Sequence, residues 1–186
     1  MNAPVEVLTD ERLVKAAFSG DDEAFTELVR RHKRKVFNMV ARFMRNKYEL
    51  DDVCQEIFIK VYQNLKKYRG DAPFEHWLSK ITINACYDEL RKQRREGDYV
   101  PLETVAFSLR DPASKEMQGD EAWKILKYAL AKLHPEDQLV ITLLKLEEKS
   151  VREISALTGW SEAKVKVRAF RARKELKRIL EDNNGN

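Results

Sequence analysis

The residues with the clearest chemical purpose lie between Ser161 and Leu180. This stretch carries eight Lys and Arg against Glu162 and Glu175, a net of +6 in a chain whose formal charge is only +4. Val165, Ala169, Ala172, Leu176 and Ile179 recur at helical period and form one apolar stripe. The opposite face of such a helix collects Lys166, Val167, Phe170, Arg171, Lys174 and Arg178. A solvated face would mix both signs of charge, whereas this one sets cations around an outward Phe. The chemistry is recognition. Cations meet phosphates and guanine edges, and apolar groups meet thymine methyls, in the major groove of DNA.

Two further groups stand out. A helix capped by Asp51 would bury Val53, Cys54, Ile57, Phe58, Val61 and Leu65 and leave Asp52, Gln55, Glu56, Ile59 and Gln63 outward. An outward Ile among acids and amides fits a partner surface, although a single exposed Ile is also ordinary. Next comes a basic loop, Lys66 to Pro73, carrying Tyr68. The helix after it ends in Arg91-Lys92-Gln93-Arg94-Arg95. Cations at a helix C-terminus suit the helix dipole. Aromatic and cationic groups around a loop also suit single-stranded bases, which stack and expose phosphates. The run Arg30 to Lys35 reads equally as a solvated helix surface or as a contact with nucleic acid or a docking partner.

The elements that must position these groups read as all-α. Gly and Pro are few, and no alternating strand pattern appears. Expected helices run from Asp10 to about Ser19, Asp22 to about Arg45, Asp51 to about Leu65, and Phe74 to about Arg95. Asn46 to Leu50 is expected as a turn. Residues 97–119, with Pro101, Pro112 and a net charge of −2, read as a flexible interdomain linker. Residues 1–96 then form one small helical domain and residues 120–186 a second. In the second, Asp120 would cap a helix to about Leu133, and Pro135 opens one to about Leu146. Ser150 caps a short helix to Leu157, Thr158-Gly159-Trp160-Ser161 turns, and the basic helix follows. A short helix, a Gly-containing turn and a basic helix make a helix-turn-helix.

Composition narrows the function classes. No apolar run approaches the roughly 18 residues of a membrane span, and the N-terminus lacks the apolar core of a signal peptide. Cys54 and Cys86 have no CxxC neighbour and sit in apolar stripes, so they read as buried reduced thiols of a cytoplasmic protein. His32, His76 and His134 are scattered, so no metal site and no cofactor are expected. Metal-dependent hydrolysis would need converging carboxylates. Asp51 and Asp52 are adjacent and point to different helix faces, so no catalytic residues are expected.

The blocks D-D-x-x-Q-E-x-F at Asp51 and Y-R-G-D-x-x-F-x-x-W-L at Tyr68, together with the helix-turn-helix, resemble the extracytoplasmic-function (ECF) sigma factors of the sigma-70 family. The resemblance spans nearly the whole chain. It implies a factor that binds core RNA polymerase through the largest-subunit clamp helices and the flap. Such a factor reads promoter DNA, both duplex and melted, and is held by an anti-sigma factor. By the resemblance, Asp52, Gln55, Glu56, Ile59 and Gln63 dock on the clamp helices. Arg69, Phe74, His76 and Trp77, with Asn84 on the following helix, form the site that captures a flipped base of the minus-10 element. Trp77 is open to either core packing or base contact. Lys92, Arg94 and Arg95 hold upstream phosphates. Lys166, Val167, Arg168, Phe170, Arg171 and Lys174 read the minus-35 element. Relatives often carry Gly-Leu-Ser where this chain has Glu148-Lys149-Ser150. The competing reading is a helix-turn-helix regulator that acts without polymerase, which explains the C-terminal half alone.

Overall fold

Capping residues set where each helix begins. In the computed structural model, which describes residues 8–97 and 117–184 (without the side chains of 117–121 and 183–184), Thr9 caps α1 (Asp10–Phe18) and Asp21 caps α2 (Asp22–Ala41). Asp21 Oδ1 accepts from the Ala24 N–H at 3.0 Å. Between the two helices Gly20 takes a φ of 96°, a conformation that costs a residue with a Cβ. α2 stops four residues before the expected Arg45.

α3 (Lys47–Asn64) starts one turn earlier than its acidic pair suggests. Asn46 is the cap: its side chain accepts from the Glu49 N–H, and Glu49 in turn accepts from Asn46 Nδ2 and the Arg45 N–H, all at 3.0 Å. This reciprocal pairing satisfies the orphan donors at the helix start, so the stretch expected as a turn is helical. A single 3₁₀ turn, Leu65–Lys67, leads into the loop before α4 (Phe74–Arg95).

α5 (Met117–Ala131) begins ahead of the expected cap at Asp120 and ends before Leu133, and α6 (Pro135–Lys145) follows at once. Residues 98–116, which make up most of the expected flexible linker, lie outside the described residues. α7 (Val151–Thr158) carries a full capping box: Ser150 Oγ accepts from the Glu153 N–H at 3.2 Å and Glu153 accepts from the Ser150 N–H at 2.8 Å. Gly159 closes α7 in the left-handed conformation, and α8 (Glu162–Asn184) runs past the expected Leu180. Glu148 holds a φ of 53° without being a glycine. A side chain there costs roughly 1–2 kcal/mol of local strain.

α1 to α4 form one helical domain and α5 to α8 a second. Leu28, Val40, Ile57, Val61, Phe74 and Ile83 fill the first core. That apolar cluster does not stop at the domain edge. It continues through Cys86 and Leu90 of α4 into Leu139, Val140, Leu143 and Ile154 of α6 and α7, all buried. Cys54 is half-buried and its thiol is pushed up to about 11 by burial and by Asp51, while fully buried Cys86 is pushed higher still.

Polar groups tie the same seam. Lys127 of α5, 5% exposed, donates to the carbonyl oxygens of Ala41 at 2.9 Å and Met44 at 2.8 Å. α2 has no basic residue in its own last turn, so a cation from the other domain meets the negative end of its dipole. Burial pushes the Lys127 ammonium down to about 8. Arg42 pairs with Glu147 across the seam. Tyr87 of α4 meets the Trp160 ring edge-on at 5.4 Å, and its hydroxyl donates to Glu136 at 3.4 Å.

Glu136 also pairs with Lys164 at 2.8 Å and with Arg168. Burial pushes its carboxyl up, but these two cations outweigh burial and hold it below the usual carboxylate range. A depressed acid stabilises the fold above its unfolded value of about 4.5, and that contribution is lost as pH falls further. Glu136→Gln should therefore lower the thermal midpoint at pH 7, with a gap from wild type that narrows below about pH 4.5. Thermal unfolding of both proteins across pH checks this; a gap independent of pH would contradict it.

Candidate nucleic-acid interface

α3 buries Val53, Ile57 and Val61, and its period then turns Asp52, Gln55, Glu56, Ile59 and Gln63 outward together. All five are exposed, Ile59 to 55%. Glu56 holds Lys60 at 2.7 Å one turn along. The face is larger than its sequence motif. Tyr48, one turn before Asp52, is 84% exposed, and Tyr62 beside Ile59 is 47% exposed. Helical spacing back from Asp52 could have found Tyr48, but the expected turn at Asn46 to Leu50 hid it.

The loop before α4 forms a cleft of about 420 Å³ lined by Tyr68, Arg69, Asp71, His76, Trp77 and Lys80, among others. Of the expected base-capture residues, Arg69 and His76 are exposed on it and Trp77 is half-buried in its wall. Phe74 lies beneath the cleft rather than on it. It is 2% exposed, among the most buried side chains of the first domain. Tyr68, Trp77 and His32 pack around its ring with centroids 5.7, 5.7 and 5.3 Å away. Phe74 is the floor that holds the aromatic wall in place.

That floor reaches into α1. His32 Nε2 lies 2.7 Å from Asp10 Oδ2, and Arg31 contacts both Asp10 and Glu27. Arg30 and Arg31 hold the Glu27 carboxyl down to about 2, and Lys35 pairs with Glu75. Most of the basic run on α2 is thus committed within the protein, while Lys33 and Arg34 are exposed. Tyr68 itself donates to the Ala72 carbonyl at 2.8 Å, which shapes the loop.

Asn84 does not line the cleft. It stands exposed on α4, seven residues beyond Trp77 and so on the same helix face. Lys80, between them on that face, went unnoticed in the sequence although its spacing marks it. Farther along, Lys92 reaches Glu89 at 3.7 Å, and Arg94 and Arg95 are exposed.

On α8, Val165, Ala169, Ala172 and Ile179 are buried, which forces the opposite face into solvent. Lys166, Arg171 and Lys174 are exposed there, with Val167 at 50% and Phe170 at 65%. Leaving Phe170 outward forgoes much of the about 1.5–3 kcal/mol its burial could contribute. Arg168 does not share this face. It is half-buried and paired with Glu136 and Asp137 of α6, so it anchors the helix rather than offering itself to a ligand. Arg178 is held by Glu175 and Asp182. At the other end of the domain, Leu126, Leu130, Ile141, Leu146, Leu176 and Leu180 line an almost wholly apolar groove of about 470 Å³. No motif announced it, because its residues come from three helices.

Among the described residues no group of three or more His, Cys, Asp or Glu could hold a metal ion. Nor is any of their helices long and apolar enough to cross a membrane.

Residues 28–96 match the family described as Sigma-70 region 2, and residues 123–176 match Sigma-70, region 4. The chain is 32% identical over 181 residues to the RNA polymerase sigma-H factor of Pseudomonas aeruginosa, covering 92% of this chain and 94% of that protein. It is 33% identical over 180 residues to the ECF RNA polymerase sigma-E factor of Escherichia coli K12, with coverage of 92% and 94%. Among solved structures it resembles CnrH in complex with the cytosolic domain of CnrY, at 28% identity and a TM-score of 0.60, over 93% of this chain and 97% of that one. The sigma factor RpoE of Bartonella quintana, solved with the anti-sigma factor NepR, shares the fold at 20% identity and a TM-score of 0.61, over 84% and 96% of the two chains. Two exposed recognition faces on an all-helical frame and family matches in both domains place this chain among the ECF sigma factors of the sigma-70 family, which bind core RNA polymerase and direct transcription initiation at specific promoters.

Proposed function

We propose that the exposed faces divide the work of initiation among them. The α3 face of Asp52, Gln55, Glu56, Ile59 and Gln63, extended by Tyr48, docks on the polymerase clamp helices. The observation that carries this is the shared exposure of Ile59 and Tyr48 among acids and amides on one helix face. An apolar patch with a polar rim is what a protein interface offers. The flap docks on the C-terminal domain, in the apolar groove between α5, α6 and α8.

The cleft beside Tyr68 and Trp77 takes an unstacked base of the minus-10 element. An extruded base needs stacking surface and hydrogen bonds to its edge. Trp77 and His76 offer the first, and Arg69 and Lys80 draw in the backbone. Asn84, with both donor and acceptor, reads a neighbouring base along the same face. Lys92, Arg94 and Arg95 hold duplex phosphates upstream. On α8, Lys166, Arg171 and Lys174 meet the minus-35 element, and Val167 and Phe170 meet thymine methyls. The expressed regulon is one of stress or envelope response, and an anti-sigma factor occludes these surfaces between signals. Two of the solved relatives are complexes, one with CnrY and one with the anti-sigma factor NepR, which supports that form of control.

Three measurements test this division. Glu56→Arg with Ile59→Arg should weaken binding to core polymerase by at least about thirtyfold, the roughly 2 kcal/mol of an interface hot spot, with unchanged thermal unfolding; retained affinity would sink the docking face. Asn84→Ala should slow promoter melting, read by permanganate reactivity, more than it weakens duplex binding. Normal melting would remove Asn84 from the reading set. Arg171→Ala should cost about 1–3 kcal/mol on the preferred minus-35 sequence and less on others. An equal loss on every sequence would make it a phosphate contact.

A further inference from the structure

Another cleft, of about 330 Å³, opens where the end of α4 meets α5 and the start of α6. Arg45, Gln93, Arg94, Tyr128, Lys132 and Gln138 are among the residues that line it. Three of these are cations, and no acid among the described residues lines the cleft. The carboxylates on the same elements are committed elsewhere. Glu49 caps α3 and accepts from Gln93 at 3.2 Å, and Glu136 and Asp137 are held by cations of α8. Three cations around one small volume favour an anion, and guanidinium groups suit phosphate above all.

Two glutamines supply its uncharged polar groups. Gln93 and Gln138 are each 7% exposed, although glutamine is mostly a surface residue. Gln93 Nε2 donates to Glu49, and its carbonyl oxygen remains an acceptor. The backbone N–H of Gln138 donates to the His134 carbonyl at 2.9 Å, but its side-chain amide has no partner among the described residues. A buried amide is costly unless it is hydrogen-bonded, and this one lines the cleft. An amide sets one donor beside one acceptor, the pattern that pairs with N6 and N7 of adenine. Guanine shows two acceptors on that edge. Tyr128 adds an aromatic surface, with the Lys132 ammonium 4.6 Å from its ring centroid.

We propose that this cleft is a binding site for an adenine nucleotide. Gln138 pairs with the N6 and N7 edge of the base, and Arg45, Arg94 and Lys132 hold the phosphates. Its volume of about 330 Å³ lies at the lower end of the about 300–1,000 Å³ of small-molecule sites, which suits one mononucleotide. The lining comes from the turn after α2 and from α4, α5 and α6. A nucleotide bound there touches all four, and thermal stability rises with its concentration. Arg94 is shared with the proposed upstream phosphate contacts, but nucleotide binding needs neither DNA nor polymerase.

Titration calorimetry of the free full chain with ADP, GDP and pyrophosphate tests this, at about 0.15 M salt so that exposed charges are screened. ADP should bind at a single site, at least about tenfold tighter than GDP or pyrophosphate, the discrimination that one bidentate amide supplies. Gln138→Leu should remove the preference for ADP over GDP and keep the affinity for pyrophosphate. Lys132→Glu, at an exposed position, should weaken ADP and pyrophosphate alike by about tenfold with unchanged thermal unfolding. Lys15→Ala, on the exposed side of α1, should change neither. No saturable ADP binding, or equal affinity for ADP and GDP, would overturn the proposal. So would binding at several sites that Lys132→Glu leaves intact, which would place the phosphates on the other basic faces of the chain.

Discussion

Lys127 sits at the point on which the arrangement of the two domains turns. An ammonium that is 5% exposed must find acceptors, because an unpaired buried charge is far too costly to keep. Its partners are the carbonyl oxygens of Ala41 and Met44, groups left over where α2 ends. Hydrogen bonds to a charged group contribute about 1.5–3 kcal/mol. The α2 terminus and α5 therefore satisfy each other. With the two held together, Arg42 meets Glu147, Tyr87 meets Trp160, and the apolar cores merge.

Glu136 plays a related part within the second domain. It stands in the first turn of α6, where a carboxylate suits the helix dipole. From there it gathers Lys164 and Arg168 of α8 and the hydroxyl of Tyr87. Two of the cations on α8 are thereby paired within the domain and fix the helix against α6. The remaining cations and Phe170 are left on the far side, against solvent. The paired cations and the exposed cations are different residues of one basic stretch.

The cleft beside Tyr68 and Trp77 shows the same separation of roles. Phe74 and His32, with the Asp10 carboxylate on His32, form a foundation, and Tyr68 and Trp77 pack on the Phe74 ring. Tyr68 meets Phe74 edge to face and Trp77 is tilted against both, so each ring of the wall already has a partner. The loop is thus shaped by contacts within the protein, and the cleft surface comes from residues that alternate with buried ones.

Helical period alone determined the order of the helices, the buried stripe of α8, and the outward set on α3, because a single helix carries that information in its own spacing. Ser150, Gly159 and Ser161 marked the helix-turn-helix for the same local reason. The start of α3 was misplaced because Asn46 and Glu49 cap each other, a pairing that the neighbouring Asp51-Asp52 masked. Phe74 and Arg168 could not be placed from sequence at all. Whether an aromatic faces a loop or a core, and whether a cation faces DNA or a carboxylate 31 residues away, is decided by what packs opposite. The apolar groove, the Lys127 contact and the closure of one domain on the other all join residues from separate helices. Only the tertiary structure brings them together, because each such contact depends on groups that are distant along the chain and have no common period.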